Sequence, residues 1–305
     1  LAIGKPVALL ASALERLTAL RQYQGDGNRA PHKPLLVLLA LGQLASSGSS
    51  VMPWSVVQER LGGLLAEFGT AASNGASSAA YPFTRLRSDG VWQLSRDVPN
   101  DSLGPLNEVP IDGHFTSEIE QELSMSSETL NAVARVLVEN QFPLTIAPDV
   151  LTAVGLDPDV VFGSPAAMVT ATQGRKRDAS WRRQIVADWD RSCAFCGYDG
   201  ALHGAPVGIE AAHIRWFNFG GPDDLDNGLA LCSLHHKLLD RGAIGLRDPG
   251  TIFVSDAFSA VGEVGRSVYE LHGRELRPRP GTVLPAEEHV LWHRREVFKG
   301  TPLAA

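Results

Sequence analysis

Three cysteines in 305 residues are too few for a fold stapled by disulfides, and an odd number leaves one thiol over whatever pairing is drawn. Long apolar runs are missing as well. The longest, PLLVLLALGQLA at 34–45, is interrupted by Gln43 and falls short of the roughly 20 residues that a membrane helix needs. The leading stretch LAIGKPVALLASALERLTAL carries Glu15 and Arg16 on a helical pattern and does not read as a secretory signal, so a reducing cytoplasmic setting is expected. Internal repeats and long low-complexity segments are absent. Positive charge is also in short supply. The net charge is -7, and the acid excess lies before residue 169, where 10 Lys and Arg face 17 Asp and Glu. A uniformly basic nucleic-acid sheath is thereby excluded, and any grip on phosphate must come from local clusters. Three exist: Arg175-Lys176-Arg177 with Arg182 and Arg183, Arg29 with His32 and Lys33, and Arg85 with Arg87.

What the chain does have is an ordered set of soft ligands in its second half. Cys193-x-x-Cys196 precedes Cys232-x-x-His235-His236, with His213 and Asn227 between them. Two such knuckles suit a closed, four-coordinate structural zinc site made by Cys193, Cys196, Cys232 and His235. A redox CxxC pair and plain structural thiols are the alternatives, although a redox pair wants to open a helix and Gly197–Gly204 follows here instead. His213 and His236 are left over for chemistry.

The stretch IEAAHIRWFNFGGPDDLDNGLALCSLHHKLLDRGAI resembles the ββα-metal motif of HNH endonucleases, with His213, Asn227 and His236 at the three name-giving positions. The resemblance implies a hairpin and a helix gripping one divalent cation, Mg²⁺ or Mn²⁺, with the cysteine knuckles as a brace. The chemistry of the residues agrees. A histidine titrates near working pH, so His213 can take the proton from an attacking water. His236 suits a cation that offsets charge on the phosphate. Asn227, in a DNG turn, can bond backbone across the loop and fix the hairpin. One departure stands out: many HNH enzymes carry a second metal ligand directly before the base, where this chain has Ala212. Glu210 is one candidate for that ligand, although strand alternation puts it on the face opposite His213, and Asp240 on the following helix is another. His203, His289 and His293 read as surface residues.

The first half reads as mostly helical. Apolar residues recur at helical spacing near 5–21 and 32–46, and Pro53 opens a further helix at PWSVVQERLGGLLAEFG. FTRLR and VWQL around an SDG turn suggest a hairpin. DVPNDSLGPLNEVPIDG reads as a long loop, and SEIEQELS, ETLNAVARVLVENQF and PDVLTAVGL as closing helices. Helices with a small hairpin point to a winged-helix-like module. The expected fold is therefore α+β in two domains, 1–165 and 179–305, joined by a linker at 166–178, GSPAAMVTATQGRKRD marking the break.

RAPHKPLLVLLAL, YPFTRLRSDGVW and ENQFPLTIAPDVLTAVGL resemble the sulfur-binding domain of McrA-type restriction endonucleases, which attack DNA whose backbone carries phosphorothioate. That resemblance implies a basic, histidine-bearing loop approaching double-stranded DNA and an apolar patch meeting the sulfur. It makes His32 and Lys33 groove or phosphate contacts and Tyr81 and Pro82 the sulfur patch, and nearness in sequence adds Arg29 and Arg85. Sulfur is more polarizable than oxygen and a poorer hydrogen-bond acceptor, so an apolar wall that penalises a hydrated oxygen accepts it. The expected function is modification-dependent (type IV) restriction by a one-metal HNH mechanism. A zinc-containing DNA-binding regulator without cleavage, or an HNH nuclease for methylated bases, are the competing readings. Cutting both strands needs two sites or two successive nicks, which makes a homodimer plausible; the tail LPAEEHVLWHRREVFKG, a helical pattern, could form it or pack on the HNH domain.

Overall fold

A computed structural model describes residues 12–21, 28–70, 79–163 and 179–304, which build two hydrophobic cores. The segment expected to break the domains, 163–178, lies almost wholly outside the described residues, as do the cluster Arg175-Lys176-Arg177 and the start of the first expected helix.

The described part of that first helix, α1 (Ala13–Thr18), begins at a capping box in which Ser12 and Glu15 satisfy each other's backbone N–H groups. The centre of the first core is α2 (His32–Ser47), whose residues Leu35 to Leu41 have no solvent exposure. A helix apolar on every side must be surrounded, and α2 is. On one side Gly42 lets the backbone of a later helix approach so closely that a Cβ would lie 1.8 Å from the Val154 carbonyl oxygen. The next helix, α3 (Trp54–Phe68), buries Trp54, Val57, Leu61, Leu64, Leu65 and Phe68 at helical spacing.

The expected hairpin is not formed. FTRLR lies in α4 (Ala80–Arg85) and the 3₁₀ turn that follows, where the Thr84 hydroxyl bonds the Ala80 carbonyl. Alternation in five residues fits one helical face as well as a strand, and packing decides: Phe83 and Leu86 are both fully buried. Only the second arm is extended. Short strands β1 (Met52–Pro53) and β2 (Trp92–Leu94) flank β3 (Asp112–Phe115) in an antiparallel sheet of order β1-β3-β2. The expected long loop before β3 contains the short helix α5 (Leu103–Glu108). Helices α6 (Ser117–Met125), α7 (Ser127–Gln141), α8 (Ala147–Val154) and α9 (Pro158–Gly163) close the domain.

The second core begins with α10 (Ala179–Asp188) and the small hairpin β4 (Ala201–Leu202) and β5 (Ala205–Pro206). Strands β6 (Ile209–His213) and β7 (Gly228–Cys232) pair antiparallel, Ile209 opposite Cys232 and His213 opposite Gly228. Helix α11 (Ser233–Asp240) follows β7 without a gap. A second hairpin, β8 (Ile244–Leu246) and β9 (Ile252–Val254), then α12 (Glu263–Arg266) and α13 (Glu287–Glu296) complete the chain.

The tail helix α13 packs on the second domain and also joins it to the first. Trp292 and Val297 belong to the first core, as does Trp216. Arg29, expected at DNA, is instead 7% exposed inside this joint, donating to the carbonyls of Glu296 and Phe68 at 2.7 Å with its guanidinium 4.3 Å over the Trp216 ring. Burial lowers its pKa to about 9 despite the nearby carboxylates of Glu296 and Asp240. His289 and His293, expected at the surface, are 3% and 1% exposed because α13 is sandwiched rather than free.

Candidate active site and zinc cluster

The cysteine knuckles converge. Ligand atoms of Cys193, Cys196, Cys232 and His235 all lie within 4.8 Å of one another, and His235 Nδ1 is 3.4 Å from Cys193 Sγ and 3.2 Å from Cys232 Sγ. Cys193 and Cys196 sit in the turn before β4, Cys232 ends β7 and His235 lies in the first turn of α11, so the cluster pins the β7–α11 junction to the turn. Contacts with Cys196 and Cys232 pull the Cys193 thiol far below its ordinary range, whereas those with Cys193 and Cys196 push Cys232 up. Thiols that compete for protons in this way suit a cation that replaces them. Three sulfurs and one imidazole nitrogen make the donor set of a closed tetrahedral zinc site.

Beside this cluster a cavity of about 290 Å³ brings together His213, His236, Glu210 and Asp240, with Trp181 and Arg182 from α10 and Pro143 to Thr145 from the first domain. His213 ends β6. Its Nε2 is 2.8 Å from Asp223 Oδ1, and its ring stacks on Trp181 at 3.9 Å and 19°. The close fit at Gly228 explains how α10 reaches the hairpin: a Cβ there would lie 2.3 Å from Ile185 and 2.9 Å from Trp181. Asn227 is fully buried. Its Oδ1 accepts from the Arg215 N–H at 2.8 Å while Nδ2 donates to the carbonyls of Arg215 and Pro222, both at 3.0 Å. The side chain thus ties together both ends of the loop between the strands.

His236, on α11, has a carboxylate at each ring nitrogen, Glu210 Oε2 2.7 Å from Nδ1 and Asp240 Oδ2 3.3 Å from Nε2. Burial works against its charged form, but the charges of Asp240 and Glu210 prevail and its pKa is raised. The bond with His236, and a further one from the Ser233 hydroxyl, hold the Glu210 carboxyl at about 2 against the opposing effect of burial. Glu210 and His213 both line the cavity, although alternation puts them on opposite faces of the strand. Two carboxylates beside an imidazole offer a donor set whose chemistry suits a hard divalent cation. Their atoms are held pairwise across the His236 ring, and among the described residues the Cys₃His group is the convergent set.

In the first domain the structure gathers some of the expected residues and disperses others. The His32 ring meets Tyr81 edge-on at 5.8 Å, and the Arg85 guanidinium lies 5.2 Å over the Tyr81 ring while bonding Asp101 at 2.6–3.0 Å. Burial lowers the pKa of His32. Pro82 is buried beside Tyr81 in sequence. Lys33 departs from expectation: it is 5% exposed and spends its charge inside the fold, on Asp89 at 2.5 Å and the Arg21 carbonyl at 3.0 Å.

Asp223, Trp181 and Thr145 had no signal in the sequence. Asp223 is one of three aspartates in GPDDLDNG, Trp181 lies 32 residues from its partner His213, and Thr145 reaches Asp240 across the domain joint by a short hydroxyl–carboxylate bond.

Comparison with known proteins follows the same division. Residues 10–159 match the family model of the ScoMcrA-like DNA sulfur-binding domain, and residues 193–247 match that of the HNH endonuclease. Among solved structures, the sulfur-binding domain of ScoMcrA complexed with phosphorothioated DNA is 21% identical, with 48% of this chain and 99% of that chain covered and a TM-score of 0.42. The corresponding domain of SprMcrA is 22% identical over 47% and 91%, with a TM-score of 0.39. The type IV phosphorothioation-dependent restriction endonuclease ScoMcrA is 22% identical over 49% of this chain and 30% of its own, with a TM-score of 0.38. No curated protein matches. No helix among the described residues is long and apolar enough to cross a membrane. By its two family matches the chain is a DNA endonuclease that joins a ScoMcrA-like DNA sulfur-binding domain to an HNH endonuclease domain.

Proposed function

We propose that this endonuclease is modification-dependent: the first domain binds double-stranded DNA carrying backbone phosphorothioate, and the HNH domain hydrolyses a phosphodiester bond nearby. The observation that carries the reading is the cavity shared by His213 and His236 in a chain whose other domain matches the sulfur-binding family. His213 accepts a proton from the attacking water, and Asn227 holds the loop that aims it. His236, with Glu210 or Asp240, would hold a Mg²⁺ or Mn²⁺ ion, which when bound offsets charge on the phosphoryl and leaving oxygens. The exposed Arg182, in the same cavity, suits a contact with the phosphate diester. A zinc ion held by the Cys₃His cluster would keep β7 and α11, and therefore His236, in place.

For recognition, Tyr81 offers an apolar face to sulfur, backed by Pro82 and edged by His32, and Arg85 beside it supplies backbone affinity. Arg29 and Lys33 take no part, being committed inside the protein. Binding of one duplex, with and without a single phosphorothioate, to the Tyr81→Ala and Arg85→Ala variants tests this division. Tyr81→Ala should erase the preference for the modified duplex, while Arg85→Ala should weaken both duplexes alike and flatten the salt dependence by about one unit of slope. Unchanged preference in Tyr81→Ala would place the sulfur elsewhere.

A further inference from the structure

Resting on the reading of His213 as the base, we infer that Asp223 is the residue that positions it, selecting its tautomer through the contact between His213 Nε2 and Asp223 Oδ1 at 2.8 Å. A carboxylate only accepts hydrogen bonds, so the nitrogen that faces it carries the ring proton. The lone pair then belongs to Nδ1, and Nδ1 is the atom that takes the proton from water. Both side chains are shielded, His213 14% and Asp223 15% exposed, which strengthens the contact relative to one in bulk water.

The surroundings of Asp223 are built to hold it. Asn227 Nδ2 bonds the carbonyl of Pro222, the residue directly before Asp223. Trp181 Nε1 bonds the carbonyl of Asp224, the residue directly after it, at 2.9 Å. The same Trp181 ring stacks on the His213 imidazole, and Phe217 approaches it from another side with ring centroids 5.8 Å apart. One short loop segment is therefore fixed at both ends, and between the fixed points it presents a carboxylate to the base. Asn227 acquires a second task through this arrangement, since the loop it clamps is the loop that carries Asp223.

The proton inventory is simple. Water loses a proton to Nδ1 as its oxygen bonds phosphorus, the bond from phosphorus to the leaving oxygen breaks with its electron pair on that oxygen, and solvent supplies the proton that neutralises it. During the transfer the ring becomes an imidazolium, with Nε2–H still donating to Asp223, whose negative charge is fixed beside it. Asp223 touches neither water nor phosphate in this scheme. It acts through His213 alone.

The test combines side-chain ¹⁵N NMR of His213 in the full chain with single-turnover cleavage of a phosphorothioated duplex in Mn²⁺. The proteins are wild type, Asp223→Ala, the isosteric Asp223→Asn in case alanine loosens the loop, and His213→Ala. The neutral wild-type ring should be protonated at Nε2, and both Asp223 variants should lose that preference. Cleavage by the Asp223 variants should fall by roughly 10²–10⁴-fold while duplex binding stays within about twofold. An unchanged tautomer in both variants, or a fall in binding as large as the fall in rate, overturns the assignment of Asp223. Normal cleavage by His213→Ala instead removes the base on which the inference rests, so the two failures are distinguishable.

Discussion

At the scale of single residues, the account turns on buried polar groups and the partners that hold them. Asn227 satisfies one N–H and two carbonyls around the loop between β6 and β7 from a position with no solvent access. Replacing it with alanine strands those groups at about 1–3 kcal/mol each, less whatever the loop recovers by relaxing. Asn227→Ala should therefore unfold at clearly lower denaturant than wild type, and Asn227→Asp should be no better, because a carboxylate cannot donate to two carbonyls. Chemical denaturation with an unchanged m-value checks both. A DNG turn beside a histidine-bearing strand made Asn227 legible in the sequence. The partner of His213 was not legible, since Asp223, Asp224 and Asp226 are chemically alike and only the path of the loop separates them. Lys33 and Arg29 misled for the reverse reason: charge suggests surface, but a charge with its own carboxylate or carbonyls can be enclosed.

Elements differed in how openly the sequence declared them. α2, α3, α6, α7 and α8 were legible because proline or serine marks their starts and apolar residues repeat through them. Residues 83–87 were not, because a run too short to show its period is settled by what it packs against, here Trp54 and Trp92 around Phe83. The zinc knuckles were legible from ligand spacing, and the ββα unit from its resemblance to the HNH motif rather than from periodicity. With only short strands and a helix of eight residues, that unit leans on its brace. Stripping metal with a strong chelator, or Cys196→Ser, should remove about one zinc per chain by elemental analysis. The loss should lower the unfolding temperature of the HNH domain while the helical domain keeps its helix signal in circular dichroism. Zinc content below one-tenth per chain in fully folded wild-type protein would contradict the brace.

For the whole molecule, two domains were readable from two motif sets, but their joint was not. It is assembled from residues far apart in the chain: Arg29 with Glu296, Glu67 with Arg241 at 2.5 Å, Asp149 with Lys237 at 2.9 Å, and Thr145 with Asp240. No local pattern encodes such pairs. The joint places Pro143, Leu144 and Thr145 against the cavity that holds His213 and His236, so the sulfur-binding domain forms part of the wall around the proposed nuclease site. It also makes the molecule sensitive to acid. His293 bonds the Leu239 carbonyl of α11 at 2.9 Å, and burial, with Arg29 nearby, lowers its pKa to about 4 from an ordinary value of 6.5. The folded state holds it neutral, so its share of stability is complete above pH 6.5 and is lost as pH falls toward 4, by roughly 3 kcal/mol in all. Unfolding free energies measured from pH 7 to 4 should fall less steeply in His293→Leu than in wild type; parallel curves would assign the acid sensitivity to other groups.

Recognition and cutting are assigned to different halves of one chain, and a single cleavage experiment interrogates both. One duplex is prepared with and without phosphorothioate at a defined linkage and incubated with the purified protein across Mg²⁺ and Mn²⁺. The expected result is metal-dependent cleavage near the modified linkage and none of the unmodified duplex. Equal cleavage of the two duplexes would contradict the central claim that the first domain selects what the HNH domain cuts.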